Sequence, residues 1–324
     1  MKKILSLAAA AALVLNLTAC QSGGGGAPTE QSGQETVTLS TLDGNGQATQ
    51  VQVPYDPQRI AVLDMAALDI LDSLGVGDRV VGTADSSLEY LQGYMDGKTA
   101  NLGTIKEADL EAIMACEPDV IFIGGRLASS YDALGEIAPV VYLSTDMELG
   151  VVESVKRNAE AIASLFGLED KAQEQMAGFA ERITALQEVS AGKTALVGMC
   201  TSGGFNVLGS DGRCSLIGRE AGFTNIGVDA QANTSTHGNE ASFEFVVEKN
   251  PDYLFILDRD AAIGTDGAQL ARNIMENELI KGTAAYQNGH LIYLAHPAVW
   301  YTAEGGLTAL DIMLSDLEGE LGVK

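Results

Sequence analysis

Three arginines stand where an anion could be held. Arg126 closes the run VIFIGGR, Arg259 closes LFILDR, and Arg213 sits in the Gly-rich turn LGSDGR. The 324-residue chain carries 44 acidic side chains against 19 basic ones, so cations gathered at such places stand out. The two apolar runs read as buried strands, and α/β proteins bind ligands in the crevice beyond the carboxyl ends of such strands. A guanidinium there offers a rigid fork of donors suited to an oxyanion. Taken singly, each arginine reads equally well as a surface or helix-capping residue; the three together point to an anion site. Two more side chains could serve a ligand. His237 lies in the polar loop NTSTHGNEAS, and Tyr301 lies in AHPAVWYTAEGG, beside the only Trp. Their plainer readings are a solvent-exposed loop imidazole and an aromatic ring packed under its loop.

Other chemistries find little support. No Gly-x-Gly-x-x-Gly pattern and no P-loop pattern occurs, so a nucleotide phosphate cradle is not indicated. The three His stand at 237, 290 and 296 with no HExxH motif, which argues against a metallohydrolase. His290 reads as an exposed turn residue, and His296 falls in the loop after a strand. A Ser–His–Asp triad leaves no mark in a single sequence and stays open. With Cys20 set aside, Cys116, Cys200 and Cys214 remain, an odd number with no zinc-site spacing. Cys116 reads as a small buried hydrophobe; a Cys200–Cys214 bridge stays open.

The elements that must position these residues alternate between apolar runs and helical patterns. Strands are predicted at 59–64, 79–84, 119–125 and 140–145, with helices at 65–75 and 106–118 and a short one after Arg126. Alternation of this kind signals a parallel sheet covered by helices. A long helix follows over 147–168, with Val151, Val155, Ala159, Ile162 and Phe166 on one face. A second helix is predicted over 169–189. Strands at 194–200, 252–259 and 290–295 alternate with helices at 215–222, 243–251, 269–282 and 306–321. The segments ACEPDVIFIGGR and EKNPDYLFILDR echo one another. The predicted fold is therefore α/β: two Rossmann-like lobes, each a mostly parallel sheet with flanking helices, joined by one long rigid helix.

The first residues read as a targeting segment. Lys2 and Lys3 precede an apolar stretch, Ile4 to Leu15, that is too short to span a bilayer. Leu17-Thr18-Ala19-Cys20 resembles a bacterial lipobox, which implies cleavage before Cys20 and acylation of its sulfur; an ordinary secretory peptide is the other reading. The Gly/Ser-rich stretch that follows suits a flexible tether. Removing Lys2 and Lys3 with the leader takes the formal charge from −25 to −27. Such a chain is repelled by nucleic acid and by anionic lipid headgroups. The division expected is a signal peptide over 1–19, a tether over 20–36, an N-terminal lobe over 37–146, the connecting helix over 147–168 and a C-terminal lobe over 169–324.

The order of STHGN, SFEF, NPDYLFILDR and VWYTAEGGL in the second half, with LGTIKEADLEAI and EPDVIFIGGR in the first, resembles the iron–siderophore substrate-binding proteins of ABC importers. Within them the likeness is to catecholate binders, including those that take petrobactin, and it runs from about residue 37 to the end. The resemblance implies a ligand-binding protein, not an enzyme, in which Arg126, Arg213 and Arg259 surround a ferric catecholate. A ferric tris-catecholate carries about three negative charges, which three fixed cations offset. His237 and Tyr301 would complete the iron shell when the siderophore is tetradentate, phenolate oxygen and imidazole both being iron ligands. Iron would arrive with its chelator, so no intrinsic cofactor is expected. Glu107 and Glu244, one in each half, match positions that dock on a permease; their plainer reading is as carboxylates at helix starts. The protein expected is a monomer, tethered outside the cytoplasm through Cys20 and serving a permease and its ATPase. The sequence departs from relatives at His296, at Glu304 and in the turn SDGRCS; at the cleft mouth Glu304 would add negative charge. Haem or cobalamin binding on the same lobes is the alternative, followed by a metallocluster enzyme on a similar scaffold and by an adhesin with no small ligand.

Overall fold

The computed structural model describes residues 35–146, 148–227 and 238–323. The expected leader, Cys20 and His237 lie outside the described residues. The chain opens on an antiparallel hairpin of β1 (Thr36–Leu42) and β2 (Ala48–Pro54). The sequence reading missed it, because its polar, Thr-rich strands lack an apolar run.

The first sheet holds β3 (Ile60–Val62), β4 (Val80–Thr83), β5 (Ala100–Asn101), β6 (Val120–Ile123) and β7 (Val140–Tyr142). Its order is β5-β4-β3-β6-β7, and every pairing is parallel. All four residues of β6 are buried, as a strand covered on both faces requires. Helices α1 (Met65–Ser73), α2 (Leu110–Ala115) and α3 (Tyr131–Gly135) belong to this half. Asp64 starts α1 by accepting a hydrogen bond from the Ala67 amide at 2.9 Å, and Asp109 does the same for α2 from Ala112 at 3.0 Å.

The long helix α4 (Val151–Ser164) buries Val151, Val155, Ala159 and Ile162, the face that the spacing predicts. The helix expected over 169–189 is two helices, α5 (Glu169–Ala177) and α6 (Phe179–Ser190), which break at Gly178. Glycine is the weakest helix former after proline, and here it marks the joint.

The second sheet holds β8 (Thr194–Thr201), β9 (Gly204–Val207), β10 (Thr224–Asn225), β11 (Asn239–Glu240), β12 (Tyr253–Asp258) and β13 (Leu291–Tyr293). The path is β11-β9-β8-β12-β13, with β10 beside β8. Strands β8, β10, β12 and β13 pair in parallel, whereas β9 pairs antiparallel with both β8 and β11. Around this sheet lie α7 (Ser215–Arg219), α8 (Phe243–Lys249), α9 (Arg259–Ala262), α10 (Ala271–Met275), α11 (Glu278–Lys281), α12 (Ala284–Gln287) and α13 (Pro297–Thr302). The helix expected over 269–282 is interrupted where Asn277 caps α11, accepting from the amides of Leu279 and Ile280.

The final helix, α14 (Leu307–Leu321), crosses back to the first half. Asp69 of α1 accepts hydrogen bonds from the amides of Thr308 and Ala309 at 2.8 and 2.9 Å. Lys171 and Gln175 of α5 donate to the carbonyls of Leu74 and Ser73, both at 2.8 Å, and so close the end of α1. One apolar core therefore runs continuously through Leu68 and Leu71 of α1, Val155 and Ile162 of α4, and Leu310 and Leu314 of α14. A second cluster, with Val246, Ile256 and Met275, lies on the far face of the second sheet. Among the described residues, no helix is long and apolar enough to cross a membrane.

Candidate functional site

Arg126 is delivered by β6 through Gly124 and Gly125. A side chain at Gly124 would meet the Asp64 carboxylate at 2.3 Å, and one at Gly125 the Tyr142 hydroxyl at 2.9 Å. Only glycine lets the strand end pass so close to the α1 cap. The turn that follows leaves Arg126 exposed. Arg259 is the first residue of α9, whose cap Asp258 accepts from the Ala261 amide at 2.9 Å. Arg213 precedes Cys214, a non-glycine residue held at φ 60°. Left-handed backbone in such a residue costs roughly 1–2 kcal/mol, and here it turns the chain into α7.

These three guanidinium groups meet at Tyr301. Their central carbons lie 4.1 Å (Arg213), 5.6 Å (Arg126) and 5.7 Å (Arg259) from the centroid of its ring. Each distance falls within cation–π range. Arg259 also donates from Nε to the Tyr301 hydroxyl at 3.2 Å, and from Nη1 to Thr201 and Asp260 at 3.1 Å. Arg213 donates from Nη1 to the Trp300 and Tyr301 carbonyls. Tyr301 is only 3% exposed. Burial alone pushes its phenol up, but the Arg259 hydrogen bond and the charges of Arg213, Arg259 and Arg126 outweigh burial and leave it below its usual value. A phenol biased toward phenolate beside three cations is equipped to hold a hard cation that itself lies inside an anion.

Trp300 fixes the ring's backbone. Its indole donates to Asp316 of α14 at 2.8 Å, and the same carboxylate meets His296 Nδ1 at 2.6 Å. Arg126, Arg213 and Tyr301 line one cavity of about 180 Å³, together with Asp64, Asn158 and Glu304. A neighbouring cavity of about 410 Å³ shares Thr302 with it and is walled by Met65, Lys106 and Ile263, among others. Ser87 donates to the Ala262 carbonyl at 3.1 Å beside this second cavity, linking the two halves.

Two acids beside the arginines went unnoticed or misplaced in the sequence reading. Asp64 is read there only as part of a strand. Its carboxyl is pushed above the usual range by burial, against the pull of the Ala67 amide and of Arg126. Glu304 does not stand at the mouth: its carboxylate points inward and accepts the Cys214 amide at 2.9 Å. Burial pushes it up to about 7, while Arg213 and the Cys214 amide pull it down and Glu220 pushes it further up. The Asp64 position was available as a cap signal, an acid directly before an apolar helix. The direction of Glu304 was not, because it lies in a turn.

The remaining expected residues lie elsewhere. Glu107 is exposed in the turn before α2, and Glu244 is exposed in the first turn of α8, which Ser242 caps. Neither carboxylate is needed to cap its helix. Cys116, Cys200 and Cys214 are free and buried, and burial pushes the Cys200 thiol up to about 12, which makes it a poor nucleophile.

Residues 60–298 match the periplasmic binding protein family. The chain is 33% identical to the petrobactin-binding protein YclQ of Bacillus subtilis, over 99% of each chain. The crystal structure of that protein superposes with a TM-score of 0.81 at 34% identity, over 89% of this chain and 99% of the other. The catecholate-siderophore binding protein VctP of Vibrio cholerae superposes with a TM-score of 0.80 at 30% identity, over 88% of this chain and 100% of the other. The ferric-anguibactin-binding protein FatB of Vibrio anguillarum is 29% identical, over 83% of this chain and 84% of its own.

Proposed function

The chain belongs to the periplasmic binding protein family, and we propose that it captures a ferric catecholate siderophore in the cleft between its two sheets and hands it to an ABC permease. The observation that carries this reading is the meeting of Arg126, Arg213 and Arg259 at the buried ring of Tyr301. Three cations in one cleft of an acidic protein suit a multiply charged anion, and a phenol inclined to lose its proton suits ferric iron. The names of the relatives, petrobactin and catecholate binders, accord with it.

In this reading Tyr301 supplies one iron ligand and His237 another when the siderophore leaves two coordination positions open. No bond is made or broken, so the protein is not an enzyme, and iron is cargo. Glu107 and Glu244, exposed and without a structural task, present the loaded protein to the permease, whose ATPase drives uptake. A lipid on Cys20 tethers a monomer to the outer face of the cell membrane. The lobes move little on closing, because α4 and α14 tie the two halves together.

Titration of the mature protein with ferric bis- and tris-catecholates, haem and cobalamin, followed by Trp300 emission, tests the reading. Trp300 is fully buried and adjoins Tyr301. Quenching that saturates at micromolar or lower ferric catecholate is expected. Silence toward both ferric catecholates, with a response to haem or cobalamin, would transfer the site to those ligands.

A further inference from the structure

We infer that Glu304 sets the charge of the anion that the arginine site accepts, disfavouring a trianionic complex relative to one of lower charge. The inference rests on the siderophore reading and concerns the same cleft. Glu304 stands three residues beyond Tyr301 in the turn between α13 and α14, and it lines the cavity that Arg126 and Arg213 line. Its hydrogen bond from the Cys214 amide fixes it to the turn that presents Arg213. Among the described residues Arg213 acts on Glu304 through charge alone, without a hydrogen bond between them. Arg213 spends Nη1 on two carbonyls, and its Nε is buried without a partner. Glu304 is therefore not paired directly with Arg213; it lines the ligand space as a carboxyl that Arg213 attracts across the cavity wall.

The groups around it define the balance. Arg213 attracts its charge, and Glu220 opposes it from the end of α7. Glu220 itself is occupied at the start of α4, where it accepts from the Val151 amide at 2.6 Å. Arg126 and Asp64 share the cavity wall, as does Tyr301, and the buried Cys214 thiol feels the Glu304 charge, its amide donating to that carboxylate. The wall thus carries two cations and two carboxyls, both carboxyls raised by burial. Near neutral pH Glu304 is divided between its charged and protonated forms. An ionised Glu304 repels a ligand in proportion to that ligand's charge. Two extra charges on the ligand, at a separation of about 8 Å and an effective dielectric of about 40, change the affinity ratio roughly thirtyfold.

The test compares wild type with Glu304→Gln at pH 9, where Glu304 is ionised in the free protein, using iron complexes of a tris-catechol and a bis-catechol chelator. Glutamine keeps an oxygen for the Cys214 amide, so the turn is retained. The expected result is a tris-to-bis affinity ratio at least tenfold higher in the variant. Calorimetry of the tris complex in buffers of different ionisation enthalpy gives a second readout: wild type takes up more protons on binding than the variant does. Binding by wild type with an unchanged ratio and equal proton uptake overturns the role of Glu304 and leaves the siderophore reading standing. Failure of wild type to bind either complex overturns both.

Discussion

Asp69 offers the sharpest test of how the two halves are held in register. It is fully buried on α1, and among the described residues no cation acts on it. It accepts from the Tyr90 hydroxyl at 2.6 Å, from the amides of Thr308 and Ala309 at the start of α14, and from the Ser73 hydroxyl at 3.4 Å. Burial pushes its carboxyl from 3.8 up to about 6, although Tyr90 and the α14 amides pull it down. The folded state therefore holds this proton more tightly than the unfolded chain does. The associated stability is fully present below about pH 4, declines between pH 4 and 6, and is lost above that. At 1.36 kcal/mol per pH unit, the interval is worth about 3 kcal/mol. Asp69→Asn removes the titration but keeps an acceptor oxygen. Urea unfolding of both proteins from pH 4 to 8 should show wild type losing about 2.5 kcal/mol relative to the variant as pH rises. Every other titrating group cancels in the difference. A gap between the two proteins that stays flat, or that moves in wild type's favour with rising pH, would mean that the hydrogen bonds outweigh burial and that the reasoning fails.

Two further outcomes follow from the same geometry. Gly306→Ala, at the N-cap of α14, places a methyl group 2.4 Å from the Asp69 carboxyl carbon, whereas Gly319→Ala, inside that helix, meets nothing within 4 Å. The first should cost about 1–3 kcal/mol in thermal or urea unfolding, and the second should gain up to about 1 kcal/mol from helix propensity; an undiminished stability of Gly306→Ala would refute the tight seating of Asp69 against the start of α14. Tyr301→Phe keeps the ring beneath the arginines but removes the hydroxyl that Arg259 meets. It should weaken a tetradentate ferric complex about tenfold or more and shift its charge-transfer band, while leaving a hexadentate complex nearly unchanged; equal losses for both complexes would exclude direct ligation.

The arginines were legible because their places are dictated by topology. A residue that closes a buried parallel strand emerges at the carboxyl edge of the sheet, so Arg126 and Arg259 had few other destinations. Arg213 was legible only by company, since a Gly-rich turn can point anywhere, and it takes Cys214 at φ 60° to aim it. The face of α4 could be read from periodicity, but the partner of α14 could not. Periodicity says which side of a helix is apolar; it does not say which element buries that side, and here α1 and α6 do so across the chain. The break at Gly178 and the cap at Asn277 were hidden because a single such residue inside a helical pattern is often tolerated.

The acids show where composition misleads. Read from sequence, the excess of carboxylates makes three gathered cations look like an unopposed positive site. In the fold each cation has an acid near it: Asp260 lies 3.1 Å from Arg259, Asp64 shares the cavity wall with Arg126, and Glu304 lies beside the turn of Arg213. The cavity wall thus mixes cations with carboxyls, while at Tyr301 itself the three guanidinium charges prevail. In the proposed reading the arginines form the anion site, and Glu304 behind them tunes how much negative charge that site tolerates.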